Sequence, residues 1–361
     1  MCIRDRYAIG AGGLLSPLSP PTVPAGDDPS ALAINPDGKH VYVANLFGNT
    51  ISQYDVDASS GRLSPKTPPT VAAGLRPRSI AVTPDGRSAY VTNILGESIS
   101  QYDINPVTGA LSPKTPATLG APLRPNNIAV SPDGRSAYVA NPFVDLVSQY
   151  DIDPLSGRLS PKTPATVAGP APLEVTVTPD GRSAYVASDL PLVAQYDVDP
   201  LSGALSPKRP ATIPGARGGA IGGIAVTTDG GSAYAPNPFD GVVSQYDIAP
   251  MGGGLSPKTP ATVATPRANA IAVTLDGRSA YVTNSVPGTV SQFDIDPVSG
   301  ALSPKTPAAI PALIAPAGIA VLQPPRLPTS KEQCERGGWR AFGQFRNQGQ
   351  CVAFVRRGPK P

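Results

Sequence analysis

Residues 80–116 read IAVTPDGRSAYVTNILGESISQYDINPVTGALSPKTP, and variants of this stretch recur from near the first residue to about residue 321. The Asp of its Asp-Gly turn falls at Asp37, Asp85, Asp133, Asp180, Asp229 and Asp276, giving spacings of 48, 48, 47, 49 and 47 residues. A period of that size belongs to a solenoid or a propeller. Each unit holds four short β-rich runs separated by turn residues, which in the second unit cover residues 80–83, 88–92, 98–104 and 110–114.

The turns decide how these runs connect. In Pro84-Asp85-Gly86 the proline presets φ, the Asp bonds its own backbone and the glycine supplies a left-handed residue, so runs one and two form an antiparallel hairpin. Asn105-Pro106-Val107-Thr108-Gly109 repeats that chemistry between runs three and four. The unit is therefore a four-stranded meander. About 48 residues of meander cannot bury both faces alone, so copies stack, and radial closure predicts an all-β propeller of four-stranded antiparallel blades. Proline in the outermost run (Pro65, Pro113, Pro161, Pro207, Pro257, Pro304) suits an edge strand, which it protects from further pairing.

The blade core Ala89-Tyr90-Val91-Thr92-Asn93, with variants at Tyr42, Tyr138 and Tyr281, resembles the Tyr-Val-Thr-Asn repeat of bacterial surface-layer propellers. With its Pro-Asp-Gly and Asp-Pro-x-Thr-Gly turns it is also similar to the lactonase-type seven-bladed propellers that include 6-phosphogluconolactonase. The resemblance covers about residues 7–323 and implies a fold; every matching residue is a strand or turn residue, so it implies little about activity.

Blade counting agrees with that number. Residues 1–6 (MCIRDR) fit no part of the repeat and read as extraneous to it. Residues 7–23 align with the end of a third strand and all of a fourth, six complete units follow, and residues 318–321 restart a first strand before Pro324-Pro325. The expectation is seven blades, the last shared between the termini, its second strand lost with the natural N-terminus. No run of 18 apolar residues is present, so no membrane-spanning helix is expected.

The domain plan is a propeller over residues 7–323, a Pro-rich linker over 324–330 and a basic two-Cys module over 331–361. That module carries Lys331, Arg336, Arg340, Arg346, Arg356, Arg357 and Lys360 against Glu332 and Glu335, a charge of +5 in a chain of net +3, so the remainder carries −2. It resembles a short Cys-containing tail of secreted actinobacterial proteins. A Cys334–Cys351 bridge would close a loop of about 18 residues and contribute about 3 kcal/mol, and a segment this short needs such a staple. Paired cysteines favour an oxidising compartment, so an extracellular or cell-surface location is expected, with the signal peptide lost by truncation. Zinc would need four ligands, and the sole histidine, His40, is distant.

No nucleophile elbow, metalloprotease helix, phosphate loop or Cys-His pair occurs. His40 takes a slot that other units give to Ser88, Ser136, Ser183, Ser232 and Ser279, and reads as a partly exposed structural residue. The Asp-x-Asp pairs (Asp55/Asp57, Asp151/Asp153, Asp197/Asp199, Asp294/Asp296) are turn chemistry, since a chemical site is normally single and these repeat. The repeated Gln53, Gln101, Gln149, Gln195, Gln245 and Gln292 read as a ladder between strands and blades.

Copies differ in the loop after strand two and in the loop between blades, which share one face in a meander. Four residues ahead of the first strands stand Asp28, Arg76, Arg124 and Arg267, and two residues further in stands Arg78; with Glu174 these are the candidate ligand-binding residues of a channel mouth. Arginine there suits a carboxylate or phosphate. Neither catalytic residues nor a cofactor nor a metal site is assigned. Two classes of function stand open: an exported, monomeric binding or structural scaffold, taking an anionic small molecule or carbohydrate at the mouth and a cell-wall polyanion on its tail, or a lactonase-like hydrolase of sugar lactones. Nucleic acid is not an expected partner.

Overall fold

The computed structural model describes residues 2–215, 223–312, 316 and 318–321. The linker over 324–330 and the module over 331–361, with Cys334 and Cys351, lie outside the described residues. Strands β1 (Cys2–Ile9) and β2 (Leu15–Ala25) form a two-stranded sheet. Six four-stranded antiparallel sheets follow, each with its strands in chain order. The first comprises β3 (Pro29–Ile34), β4 (His40–Asn45), β5 (Thr50–Val56) and β6 (Leu63–Ala72). The second comprises β7 (Pro77–Val82), β8 (Ser88–Asn93), β9 (Ser98–Ile104) and β10 (Leu111–Gly120). This is a β-propeller of meander blades.

Every residue of β8 is buried, because the strand has partners on both sides and a neighbouring blade on each face. Each apolar cluster takes its members from two adjacent blades, as where Tyr90 and Ile99 of the second pack with Ile128, Val139 and Tyr150 of the third. The tyrosine tip is satisfied across the seam: Tyr90 Oη donates to the Gly157 carbonyl at 2.7 Å.

The turns follow their residues. Gly38, Gly86, Gly134, Gly181, Gly230 and Gly277 all have φ between 68° and 73°. The second Asp of each Asp-x-Asp pair caps its turn, as Asp153 Oδ1 accepts from the Leu155 and Ser156 amides at 3.1 and 2.7 Å. The first Asp does something the sequence did not announce. Asp151 pairs with Lys162, whose buried ammonium also donates to the Ser202 carbonyl of the next blade.

The fourth strands run further than expected, since β10 continues through its prolines to Gly120 with its register broken between Pro113 and Thr118. Proline has no N–H to pair there, and Gln101 fills the break: its Nε2 donates to the Pro116 carbonyl at 3.4 Å while its Oε1 accepts the Leu159 amide of the next blade at 2.8 Å. The glutamine ladder thus joins both strands and blades.

One expectation changes. His40 is buried, with 7% of its surface exposed, rather than partly exposed. It lies under Gly109 of the next blade, where a Cβ would come 2.2 Å from the ring, and its Nδ1 stands 3.1 Å from both Asp55 and Lys66. Residues 2–6 form the first part of β1, and the Arg6 guanidinium bonds the Pro20 and Gly61 carbonyls.

The two-stranded sheet sits between the sixth and first blades. On one side Tyr281 Oη donates to the Gly13 carbonyl at 2.7 Å and Lys305 Nζ to the Gly12 carbonyl at 2.7 Å; on the other, Tyr54 Oη donates to the Pro24 carbonyl at 2.6 Å. Asn269 Nδ2 reaches the Pro316 carbonyl at 3.5 Å, and Gly318 lies against Ser30 and Ala31.

Two outcomes are expected. Gly86→Val forces a branched side chain to φ 70° and puts a Cβ 2.5 Å from Asn35 Oδ1, so stability measured by denaturant melts should fall by about 1–3 kcal/mol. Burial, aided by Lys66 and opposed by Asp37 and Asp55, lowers the His40 pKa from its usual 6.5. The unfolded chain then takes up a proton that the folded one resists, so stability is full above pH 6.5 and declines as pH falls below it. Thermal melts between pH 7 and 5 should show a shallower decline in His40→Ser than in the parent; equal slopes would reject this assignment.

Candidate functional site

The first strand of each blade has a partner on one side only, and first strands of neighbouring blades touch one another, so they line the channel. Asp28, Arg76, Arg124, Ala171 and Arg267 precede them with φ of 49°, 59°, 53°, 40° and 37°. Their carbonyls accept from the loop after strand two: Leu46 N to Asp28 O at 2.7 Å, Ile94 N to Arg76 O at 2.9 Å, Ser285 N to Arg267 O at 3.3 Å. The two variable loop sets therefore share one face, as their chemistry required.

The Arg76 guanidinium stacks 3.9 Å over the ring of Phe47, and Arg124 stacks 4.5 Å over Phe143. Both phenylalanines belong to the loops after strand two, so each of these guanidiniums lies against that loop set. Arg267 is exposed on the same face.

The residues two and three positions further in bond from blade to blade. Arg78 Nε donates to Asn126 Oδ1 at 3.2 Å, and Asn126 Nδ2 donates to the Leu173 carbonyl at 2.8 Å, linking three consecutive blades. One residue deeper, each side chain caps a backbone N–H of the next blade. Ser79 Oγ accepts from Ile128 at 3.4 Å, Asn127 Oδ1 accepts from Val175 at 3.0 Å, and the Glu174 carboxyl accepts from Ile224. At Gly223 a Cβ would come 2.9 Å from Glu174 Oε2, so the carboxyl rests against a glycine. The equivalent residues of the other blades, Ala31, Ala270 and Gly318, carry no polar group. The channel is polar along the arc from the second blade to the fourth.

Glu174 is half-buried, and its walls displace enough water to raise its pKa to about 7, with Arg78 and the Ile224 amide pulling the other way. A carboxyl poised near neutrality beside a guanidinium suits proton transfer next to an anion-binding group. Aligning the copies at this depth would have singled it out, because it is the one charged residue among Ala, Ser, Asn and Gly. Among the described residues no cluster of His, Cys, Asp and Glu is placed to hold a metal ion, and no helix is long and apolar enough to cross a membrane. A cavity of about 370 Å³ lies elsewhere, at the seam of the third and fourth blades, where Lys162 is already bound to Asp151 and the Ser202 carbonyl.

With this geometry in hand, likeness to known proteins acquires meaning. In structure the chain is similar to a candidate 6-phosphogluconolactonase of Bacteroides fragilis, with 21% identity, 85% of this chain and 89% of that one covered, and a TM-score of 0.72. It is similar to the periplasmic gluconolactonase of Pseudomonas aeruginosa, with 22% identity, 87% and 92% covered, and a TM-score of 0.71. Hydrazine synthase of Kuenenia stuttgartiensis also shares the architecture, at 19% identity, 82% and 90% covered, and a TM-score of 0.61. At these identities the likeness concerns fold alone. No curated protein matches the chain. The sequence profile of the family described as lactonase, 7-bladed beta-propeller, matches residues 15–124 and 113–216, more than half of the length, and the chain therefore belongs to that family.

Proposed function

We propose that this protein hydrolyses a sugar lactone within its channel, Glu174 acting as general base and Arg78 anchoring the substrate. The observation that carries this reading is the pairing of one carboxyl, raised to a pKa of about 7, with one guanidinium on an inner wall whose other blades supply Ala, Ser, Asn and Gly. Family membership supports hydrolysis over the scaffold reading.

In the proposed step a water oxygen adds to the lactone carbonyl while its proton passes to the Glu174 carboxylate. The tetrahedral alkoxide collapses, the ring C–O bond breaks, and the proton returns from Glu174 to the departing alkoxide, giving the open hydroxy acid. The Ile224 amide fixes the carboxyl during both transfers.

The same proposal includes a seventh blade made of β1, β2 and residues 318–321, supported by the hydrogen bonds that tie the two-stranded sheet to the blades on either side. It also includes export, a Cys334–Cys351 disulfide and attachment through the basic tail, supported by the cysteine and charge distribution and by the periplasmic relative.

Since a base works when ionised, kcat/KM for a sugar lactone, corrected for spontaneous opening, should rise through about pH 7 and level off above it. Glu174→Gln should lower kcat by about 100-fold or more and flatten the profile. Parental rates in that variant would remove the base from this residue.

A further inference from the structure

We infer that the channel selects a ligand bearing a single carboxylate, seated on the two terminal nitrogens of Arg78. This rests on the channel reading above for the location of the ligand, and goes beyond it in naming the ligand's charge.

Three observations carry it. First, Arg78 is held by its inner nitrogen only: Nε donates to Asn126 at 3.2 Å, Asn126 is itself fixed on the Leu173 carbonyl, and no described residue bonds the terminal nitrogens. The guanidinium is thus oriented with its two-pronged end unspent, the geometry that meets a carboxylate through two parallel bonds. Second, the cations ahead of the first strands stand apart from the Arg78–Asn126–Leu173 chain, Arg267 being exposed on the same face. Arg76 and Arg124 lie over Phe47 and Phe143, and each seam lysine is paired with an Asp on the opposite face, as Lys114 is with Asp103. Third, the charge of Arg78 acts on the Glu174 carboxyl. With the Glu174 carboxyl protonated, the one guanidinium balances one negative charge on a ligand. A phosphate dianion would bring a surplus charge against Glu174 where water is partly displaced, and a neutral sugar would leave the fork unfilled.

The test uses three sugars that share a ring and differ at carbon six: D-glucose, D-glucuronate and D-glucose 6-phosphate, titrated calorimetrically into the full chain. None is a lactone, so the result is independent of turnover, and a protein without lactonase activity could still satisfy it. Glucuronate should bind at least tenfold more tightly than either alternative. Arg78→Gln should reduce it to the level of glucose, and Arg78→Lys, which keeps the charge and loses the planar fork, should recover only part of the difference. An unchanged melting temperature in each variant shows that the fold is intact, as expected for an exposed side chain. Tightest binding of the phosphate, equal or undetectable binding of all three, or an advantage for glucuronate that survives Arg78→Gln would overturn the inference.

Discussion

Each seam between blades buries a lysine ammonium, and the geometry of the propeller answers to it. Lys114 keeps 3% of its side-chain surface exposed, and a buried ammonium without partners would cost several kcal/mol. Its partners come from different blades: Asp103 from its own third strand and the Ser156 carbonyl from the next blade's turn. Because Asp103 stays half open to water, the pair contributes less through attraction than through position. The carbonyl must stand where the ammonium ends, and this sets how far one blade is rotated from its neighbour. The same requirement reaches into the turn. Gly157 has φ 63°, and a Cβ there would come 2.1 Å from Ser88 Oγ and 3.1 Å from Lys114 Nζ, so only glycine lets the turn close over the lysine.

Such locks repeat from the first blade to the sixth, which is why the fold was legible. Turn glycines, edge prolines and Tyr-Val cores recur at a period that strand and turn chemistry translate into blades. The lock was less legible, although a signal for it exists: Asp and Lys stand 11 residues apart at Asp55/Lys66, Asp103/Lys114, Asp151/Lys162 and onward. A lysine within Ser-Pro-Lys reads as solvated edge strand, and only the neighbouring blade, distant in sequence, buries it. His40 misleads for the same reason, since what encloses it is Gly109, 69 positions away.

The site was legible in residue identity and not in direction. Counting back from the first strand picks out Arg76 and Arg124, but not that they stand at positive φ with their guanidiniums over Phe47 and Phe143. Residue counting carries no φ. Arg78, two residues on and inside β7, has the extended backbone of a strand and keeps its side chain at the inner ring.

Symmetry also explains why chemistry, if located anywhere in this chain, belongs on the inner wall. An innermost strand has no partner on its channel side, so alternate N–H groups face the channel and call for acceptors. Ser79, Asn127 and Glu174 answer that demand in three successive blades with three different side chains. A structural cap is the first duty of all three, and the seams elsewhere are held by other means, so the cap is free to change its chemistry without loosening the ring. Glu174 has two oxygens and a single backbone bond to serve. Its other oxygen is not needed by that bond, and the charge of Arg78, whose guanidinium is tied to Asn126, acts on the same carboxyl.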